Sequence, residues 1–268
     1  MNLFFYIVLL TLDQTLGNRN CENASFKNSE IETLAINFTM PYQLGVDPNT
    51  NTLFFSYSLQ NSEESFKIVY LDLNNQKRGE VTGISGGFAQ TVDVKNHVVY
   101  LGGSDGIYQF NYETKSANRL NITKNSIWQM FFKDYLYYTI SLKEEAYVYK
   151  DGVAAKVKQL ENTRASLIAV DNNHNIYFAN SSGLYVSDND NSIKHIGDYI
   201  INGFTSDING NIFFSTLDKI YSIISGTSVK QIIELNDIHG LAIDAKGNYI
   251  YSTYNTVKRL KLDVTNCS

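Results

Sequence analysis

The sequence contains little of several residue types that mark particular classes of protein. Only two of its 268 residues are proline, and no low-complexity stretch interrupts the chain. There is therefore no recognisable linker, and the sequence predicts one domain over residues 18–268. Lysine and arginine form no cluster and the formal net charge is −5, which argues against a nucleic-acid partner.

Long hydrophobic runs are also missing. The apolar run Leu3–Leu12 is too short to span a bilayer, so no membrane partner is expected. Because the small residues Thr15 and Gly17 follow it, residues 1–17 resemble a secretory signal peptide, although no lysine or arginine lies among them. A buried N-terminal strand is the alternative. The signal predicts an extracellular protein.

Cysteine is scarce and lies near both ends of the chain, as Cys21 and Cys267. In an oxidising compartment these residues are expected to form a disulfide that joins the two ends, and two free thiols are the alternative. Five N-x-S/T sequons also favour export. They predict glycosylation at Asn23, Asn37, Asn121, Asn180 and Asn266.

What the sequence does contain is a repeat of about forty residues. Six times an apolar run ends in a turn and restarts as an aromatic-rich strand, and the third copy has Lys133 and Asp134 at the junction. An aspartate at this point caps backbone N–H groups of the following turn, and a ring of metal-binding carboxylates is the alternative. The other five copies carry Asp47, Asp93, Asp171, Asp207 and Asp244 there.

Each repeat divides into four short strands separated by turns rich in Asn, Asp, Ser and Gly. The pattern predicts an all-β fold, a six-bladed β-propeller of four-stranded antiparallel blades. The N-terminal strand Ile31–Phe38 and the terminal disulfide are expected to close it at the blade containing His239–Leu262. In the fourth copy the strands are predicted over Ala165–Val170, Ile176–Ala179, Leu184–Ser187 and Ile193–Ile196.

Counting back from each junction places one residue of every copy near the same mouth of the central channel. If the register is right, three consecutive blades present aromatic rings there and three present small or polar groups. Gln43 and Gln129 come next in two copies, and Gly203 and Gly240 leave space in two others. The six residues of this ring are Tyr42, Phe88, Trp128, Ser166, Asn202 and His239.

An aromatic wall that faces hydrogen-bonding groups suits a flat, partly polar, conjugated small molecule. The aromatic residues are expected to stack on its rings, whereas Gln43, Gln129, Asn202 and His239 supply hydrogen bonds; Ser166 completes the predicted ligand-binding set. The alternative is that these aromatic side chains fill the channel as core.

Two other functions are less well supported. A metal-dependent lactonase or hydrolase needs more oxygen ligands than Asn202 and His239 provide. Ser166 and His239 share the predicted ring, but the sequence places no third group to orient the histidine. The other histidines show no zinc-like spacing. No catalytic residue, metal or cofactor is therefore predicted, and a protein-interaction propeller remains a further alternative.

Three segments carry a resemblance to a known family: GVDPNTNTLFFSYSL, GGFAQTVDVKNHVVYLGGSDGIYQFNYETKSA and HGLAIDAKGNYIYSTY. They resemble the insect ommochrome-binding proteins, and the likeness spans most of the mature chain, including its terminal cysteines. Members of this family are secreted haemolymph proteins that carry tryptophan-derived pigments, which are planar fused aromatic systems with amino-acid and carbonyl groups. The resemblance implies a non-enzymatic carrier of such a pigment or of a kynurenine-type precursor. It transfers no ligand-binding residue.

Overall fold

The computed structural model describes residues 30–60 and 65–261. Within these ranges, 24 strands form six four-stranded sheets, which confirms the predicted six-bladed propeller of antiparallel blades. No helix in the same ranges is long and apolar enough to cross a membrane. The predicted signal peptide, both cysteines and two predicted glycosylation sites, Asn23 and Asn266, lie outside the described residues.

The strand β1 (Glu30–Ile36) precedes the first three blades along the chain. Blade 1 consists of β2 (Tyr42–Asp47), β3 (Thr52–Ser58), β4 (Phe66–Asp72) and β5 (Arg78–Glu80). Blade 2 consists of β6 (Ala89–Asp93), β7 (Val98–Gly103), β8 (Gly106–Asn111) and β9 (Ser116–Arg119). Blade 3 consists of β10 (Ile127–Lys133), β11 (Tyr135–Ile140), β12 (Glu145–Lys150) and β13 (Val153–Lys156).

A 3-10 turn (Lys158–Leu160) leads into the remaining blades. Blade 4 consists of β14 (Leu167–Val170), β15 (Ile176–Asn180), β16 (Gly183–Ser187) and β17 (Ile193–Gly197), close to the predicted bounds. Blade 5 consists of β18 (Gly203–Ser206), β19 (Ile212–Ser215), β20 (Lys219–Ser225) and β21 (Ser228–Glu234). Blade 6 contains β22 (Gly240–Ile243), β23 (Tyr249–Ser252) and β24 (Thr256–Lys261).

Blade 6 also contains β1, which pairs antiparallel with β24. Arg259 on β24 donates to a carboxylate oxygen of Glu32 on β1, from Nε at 3.1 Å and from Nη2 at 2.7 Å. These hydrogen bonds from Arg259 hold the pKa of Glu32 below its usual value. Strand β1 ends earlier than predicted, before Asn37, whose φ of 65° interrupts the extended backbone.

The recurring aspartates cap the turns between the first and second strands of the blades, as predicted. Asp171, Asp207 and Asp244 each accept backbone N–H groups from the residues two and four positions further on, at 2.8–3.0 Å. Asp47 accepts the Asn49 N–H, and Asp93 accepts the Asn96 N–H. Among residues 30–60 and 65–261, no three His, Cys, Asp or Glu side chains are grouped to hold a metal ion.

Large apolar and aromatic side chains fill the space within and between the blades. Burying each of them contributes roughly 1.5–3 kcal/mol relative to exposure. The first strands of neighbouring blades contact one another around the axis, so each blade presents its first strand to the channel. The largest fully buried side chains include Phe54, Phe55, Tyr138, Tyr177, Phe178 and Phe214.

Three predicted glycosylation sites lie within the described residues. Asn37 and Asn121 are exposed, and Asn121 lies in the connection between blades 2 and 3. Asn180 ends β15, and its side-chain amide donates to the Arg164 carbonyl oxygen at 3.1 Å while its oxygen accepts the Ser182 N–H at 2.8 Å. Glycosylation at all three stays a prediction.

Candidate functional site

A cavity of about 760 Å³ lies at one mouth of the channel, where the first strands of the blades begin. Of the eight predicted ligand-binding residues, all but Gln129 line it. Their neighbours on the wall come mainly from blades 1, 3 and 4. The complete lining is Tyr42, Gln43, Phe66, Phe88, Trp128, Ile140, Ser141, Leu142, Glu144, Arg164, Ser166, Leu167, Ile201, Asn202 and His239.

The aromatic side of the cavity is a continuous wall centred on Phe88. The Phe88 ring lies 4.8 Å from Trp128, 4.6 Å from Phe66 and 6.0 Å from Tyr42, measured between ring centroids. Phe88 is 5% exposed, whereas Trp128 is 39% exposed. Phe88 therefore supports the wall from behind, and Trp128 offers its indole surface to the cavity rather than filling the channel as core.

A β-bulge explains why Trp128 reaches the cavity. The register between β10 and β11 shifts between Ile127 and Gln129, which leaves Trp128 without a partner in the ladder. Bulges bend a strand and re-aim a side chain in this way. A similar shift on β2 lies between Tyr42 and Gly45, and it lets Tyr42 and Gln43 both line the cavity.

The structure places Gln129 away from the cavity, which corrects the prediction for this residue. Its side chain is 1% exposed and lies between blades 3 and 4. Its amide donates to the Ile168 carbonyl oxygen at 3.1 Å and the Met130 carbonyl oxygen at 3.0 Å, and its oxygen accepts the Ile168 N–H at 3.0 Å. Gln129 thus joins two neighbouring inner strands, and its polar atoms are used within the protein.

His239 on the opposite side of the cavity is held by Asp237, a residue that the repeat pattern missed. Nε2 of His239 donates to Asp237 at 2.8 Å, while the second Asp237 oxygen accepts the Tyr254 N–H at 3.0 Å. The bond from the Tyr254 backbone, followed by that from His239, holds the pKa of Asp237 below its usual value. When the ring is neutral with its proton on Nε2, Nδ1 can accept a hydrogen bond from a ligand.

This finding corrects the expectation that no third group orients the histidine. The signal available in the sequence was the short spacing of Asp237 and His239, but Asp237 precedes the strand and has a φ of 61°. Tyr42 completes this corner, because its ring meets the His239 ring edge-on at 5.8 Å. Burial, followed by the charge of Asp237, raises the pKa of Tyr42.

The side chains of Ser166 and Asn202 each donate a hydrogen bond to a backbone carbonyl oxygen. Ser166 Oγ donates to the Ala179 carbonyl oxygen at 2.9 Å, and Asn202 Nδ2 donates to the Ile238 carbonyl oxygen at 2.6 Å. The Ser166 proton is therefore directed away from a nucleophile–base arrangement with His239. The oxygens of both side chains are acceptors, so this wall favours a ligand with N–H or O–H groups.

The two glycines on this side differ in the space they leave. A side chain added to Gly203 meets nothing within 4 Å, which agrees with the expected space. A side chain at Gly240 would lie 2.7 Å from the Leu44 side chain, so Gly240 is required for packing between blades 1 and 6. Only Gly203 leaves room beside the polar wall.

A smaller cavity of about 210 Å³ adjoins the aromatic wall. It shares Phe66, Phe88, Trp128 and Ser141 with the first cavity, so the three rings lie between the two cavities. Hydroxyl groups supply the polar surface of this smaller cavity, from Ser65, Ser85, Ser104, Ser126 and Ser141.

These features define the class of protein: a six-bladed β-propeller with a small-molecule-sized cavity at one mouth of its channel. A gluconolactonase from Xanthomonas campestris has the same fold, with a TM-score of 0.71 and 13% identity over 90% of this chain and 92% of that chain. A luciferin-regenerating enzyme gives a TM-score of 0.63 and 12% identity, covering 88% and 96% of the two chains. At these identities the likeness shows the fold alone.

The sequence comparison is more specific. No family-wide sequence profile matches the chain. The ommochrome-binding protein of Manduca sexta is 37% identical over 266 residues, which cover 96% of this chain and 97% of that protein. This chain therefore belongs to the ommochrome-binding protein family, as its resemblance predicted.

Proposed function

We propose that this protein is a secreted carrier that binds an ommochrome-like pigment, or a kynurenine-type precursor, non-covalently in the channel-mouth cavity and catalyses no reaction on it. The observation that carries this proposal is the partly exposed Trp128, which lies on a wall of aromatic rings opposite a row of hydrogen-bond acceptors. Membership of the ommochrome-binding protein family supports the ligand class.

The size and chemistry of the cavity suit such a ligand. A volume of about 760 Å³ lies within the range of sites that bind drug-sized molecules. A fused ring system can stack on Trp128, and aromatic pairs contribute about 0.5–1.5 kcal/mol beyond the area they bury. Ring N–H and hydroxyl groups can donate to Asn202 Oδ1, Ser166 Oγ and His239 Nδ1.

Hydrolysis is not proposed, because the Ser166 hydroxyl donates to the Ala179 carbonyl oxygen and not to His239. A carrier needs only a surface complementary to its ligand, which it releases chemically unchanged. The arrangement of Asp237 and His239 serves this purpose, since Asp237 holds the orientation of the His239 ring at the cavity wall.

The proposal includes export, with a signal peptide over residues 1–17, a mature domain over residues 18–268 and haemolymph as the compartment. It also includes a disulfide between Cys21 and Cys267. The pairing of Glu30 with Lys261 supports this disulfide, because Cys21 precedes Glu30 by nine residues and Cys267 follows Lys261 by six, so the chain is long enough for the two to meet. Glycans on the exposed Asn37 and Asn121 are consistent with the same compartment.

The test is the affinity of the Trp128→Ala variant for a purified ommochrome, measured by equilibrium dialysis. We expect binding to weaken more than tenfold while the fold is kept, because Trp128 offers stacking surface to the cavity and Phe88, on which it packs, stays in place. Ile224→Ala is the control, since Ile224 is 58% exposed and does not line the cavity. Unchanged affinity in Trp128→Ala would exclude this cavity as the site.

A further inference from the structure

One acidic and one basic side chain lie on the cavity wall next to the aromatic side. Glu144 lies in the turn between β11 and β12, and Arg164 lies in the connection from blade 3 to blade 4. Among the described residues that line the cavity, these two alone carry a formal charge at neutral pH apart from the titratable His239. The cavity therefore offers one positive and one negative group on the same side.

The two side chains make only a loose contact with each other. Arg164 Nη1 lies 4.0 Å from Glu144 Oε2, and the two side chains are 82% and 35% exposed. By contrast, the neighbouring Glu145 forms a close pair with Lys156 at 2.8 Å. Because exposed ion pairs at such a distance are weak, both groups can turn to a ligand at little cost.

The backbone beneath these side chains is anchored. The Glu144 carbonyl oxygen accepts the Ala165 N–H at 2.7 Å, and the Arg164 carbonyl oxygen accepts the Asn180 amide at 3.1 Å. Glu144 also has a left-handed φ of 51°, a conformation that is costly for glutamate and persists where surrounding contacts impose it. No hydrogen bond among the described residues uses the Arg164 guanidinium or the Glu144 carboxylate. The backbone of both residues is thus fixed, while their charged groups contact each other only loosely and make no hydrogen bond within the described part of the chain.

We propose that Arg164 and Glu144 bind an α-amino acid group on the cavity ligand, with Arg164 taking its carboxylate and Glu144 its ammonium. This inference rests on the proposed function, since it names a group of the molecule that stacks on Trp128. A guanidinium matches a carboxylate through two parallel N–H···O bonds, and a carboxylate accepts from an ammonium.

A zwitterion fits this pair better than a ligand with one charge. A ligand carrying only a carboxylate would place it near the like charge of Glu144, and one carrying only an ammonium would place it near Arg164. Placing like charges close together in this way disfavours binding of a ligand that carries only one charge. The pair therefore selects aromatic molecules that keep a free amino acid side chain over those that have lost either charge.

The test measures binding of three forms of one ommochrome: the pigment with a free α-amino acid group, its methyl ester and its N-acetyl derivative. The variants are Arg164→Gln and Glu144→Gln. The matched controls are Arg119→Gln, which removes an arginine in a similarly long ion pair of 3.9 Å, and Glu145→Gln, which removes the adjacent carboxylate. Binding to the full-length protein is followed by equilibrium dialysis.

We expect Arg164→Gln to lower the affinity for the free pigment about tenfold and to leave the affinity for the methyl ester unchanged, as loss of a charge-assisted hydrogen bond predicts. Glu144→Gln should lower the affinity for the free pigment and leave the affinity for the N-acetyl form unchanged. The inference alone is overturned if both variants bind like their controls while Trp128→Ala still weakens binding. If Trp128→Ala also binds normally, or wild-type protein binds no pigment, the proposed function is overturned as well.

Discussion

The two ends of the channel follow different rules. At one end, five aspartates repeat at the same position and cap five turns in similar ways. At the other end, the corresponding position of the six blades carries Tyr42, Phe88, Trp128, Ser166, Asn202 and His239. The turn end holds a cavity of about 100 Å³ and the variable mouth one of about 760 Å³. The repeat is kept where each blade needs the same backbone support and is abandoned where a ligand can bind.

Phe88→Ala should have the largest effect, because Phe88 belongs both to the fold and to the mouth. Its buried ring contacts Phe66 and Trp128, so its loss is expected to lower the free energy of unfolding by about 3 kcal/mol and to weaken pigment binding. Urea denaturation and pigment titration would measure the two effects. Full stability in this variant would contradict its role as support for Trp128.

Asp171→Ala tests the opposite end, and it should change stability without changing binding. The Asp171 carboxylate accepts two backbone N–H groups and the Asn175 amide, so we expect a loss of about 1–3 kcal/mol. The matched control is Asp190→Ala, an exposed turn aspartate, which should cost less than about 0.5 kcal/mol. If Asp171→Ala weakened pigment binding under native conditions, the expectation that this end of the channel serves stability alone would be contradicted.

Asp237→Asn sharpens the comparison within the mouth. An amide can donate to His239 Nε2 and reverse the tautomer, which removes the Nδ1 acceptor. We expect pigment affinity to fall about threefold, and His239→Ala to reduce it about tenfold. In the His239→Ala background, Asp237→Asn should have no further effect, as a double-mutant cycle would show. An undiminished effect there would mean that Asp237 acts independently of His239.

Glu32→Gln tests the junction of β1 and β24, at the outer edge of blade 6. Because Arg259 lowers the folded-state pKa of Glu32, its stabilisation is present above the usual value of 4.5 and is lost as pH falls through the lowered folded pKa. We expect the variant to lose about 1 kcal/mol at pH 7 and progressively less below pH 4.5. Glu30→Gln is the control, since Glu30 is 71% exposed. A loss that does not depend on pH would contradict the ion-pair explanation.

The sequence predicted features that depend on local pattern. Strands and capped turns follow from alternating apolar residues and from the aspartates, and the repeat register placed Trp128 and His239 on one cavity. Gln129 was assigned to the wrong environment because the residue next to Trp128 was also counted as facing the channel mouth, whereas neighbouring residues of a strand point to opposite faces. Asp237, Glu144 and Arg164 were missed since they lie in turns and connections, outside the register of the repeated strands.

The most direct test of the account is a fluorescence titration of the wild-type protein with a purified ommochrome. Trp128 is the single tryptophan of the chain, so its emission reports on the proposed stacking surface alone. We predict saturable quenching with one pigment per protein, at an affinity equal to that from equilibrium dialysis. Stoichiometric binding by dialysis with unchanged Trp128 emission would contradict the central claim that the pigment stacks at the channel mouth.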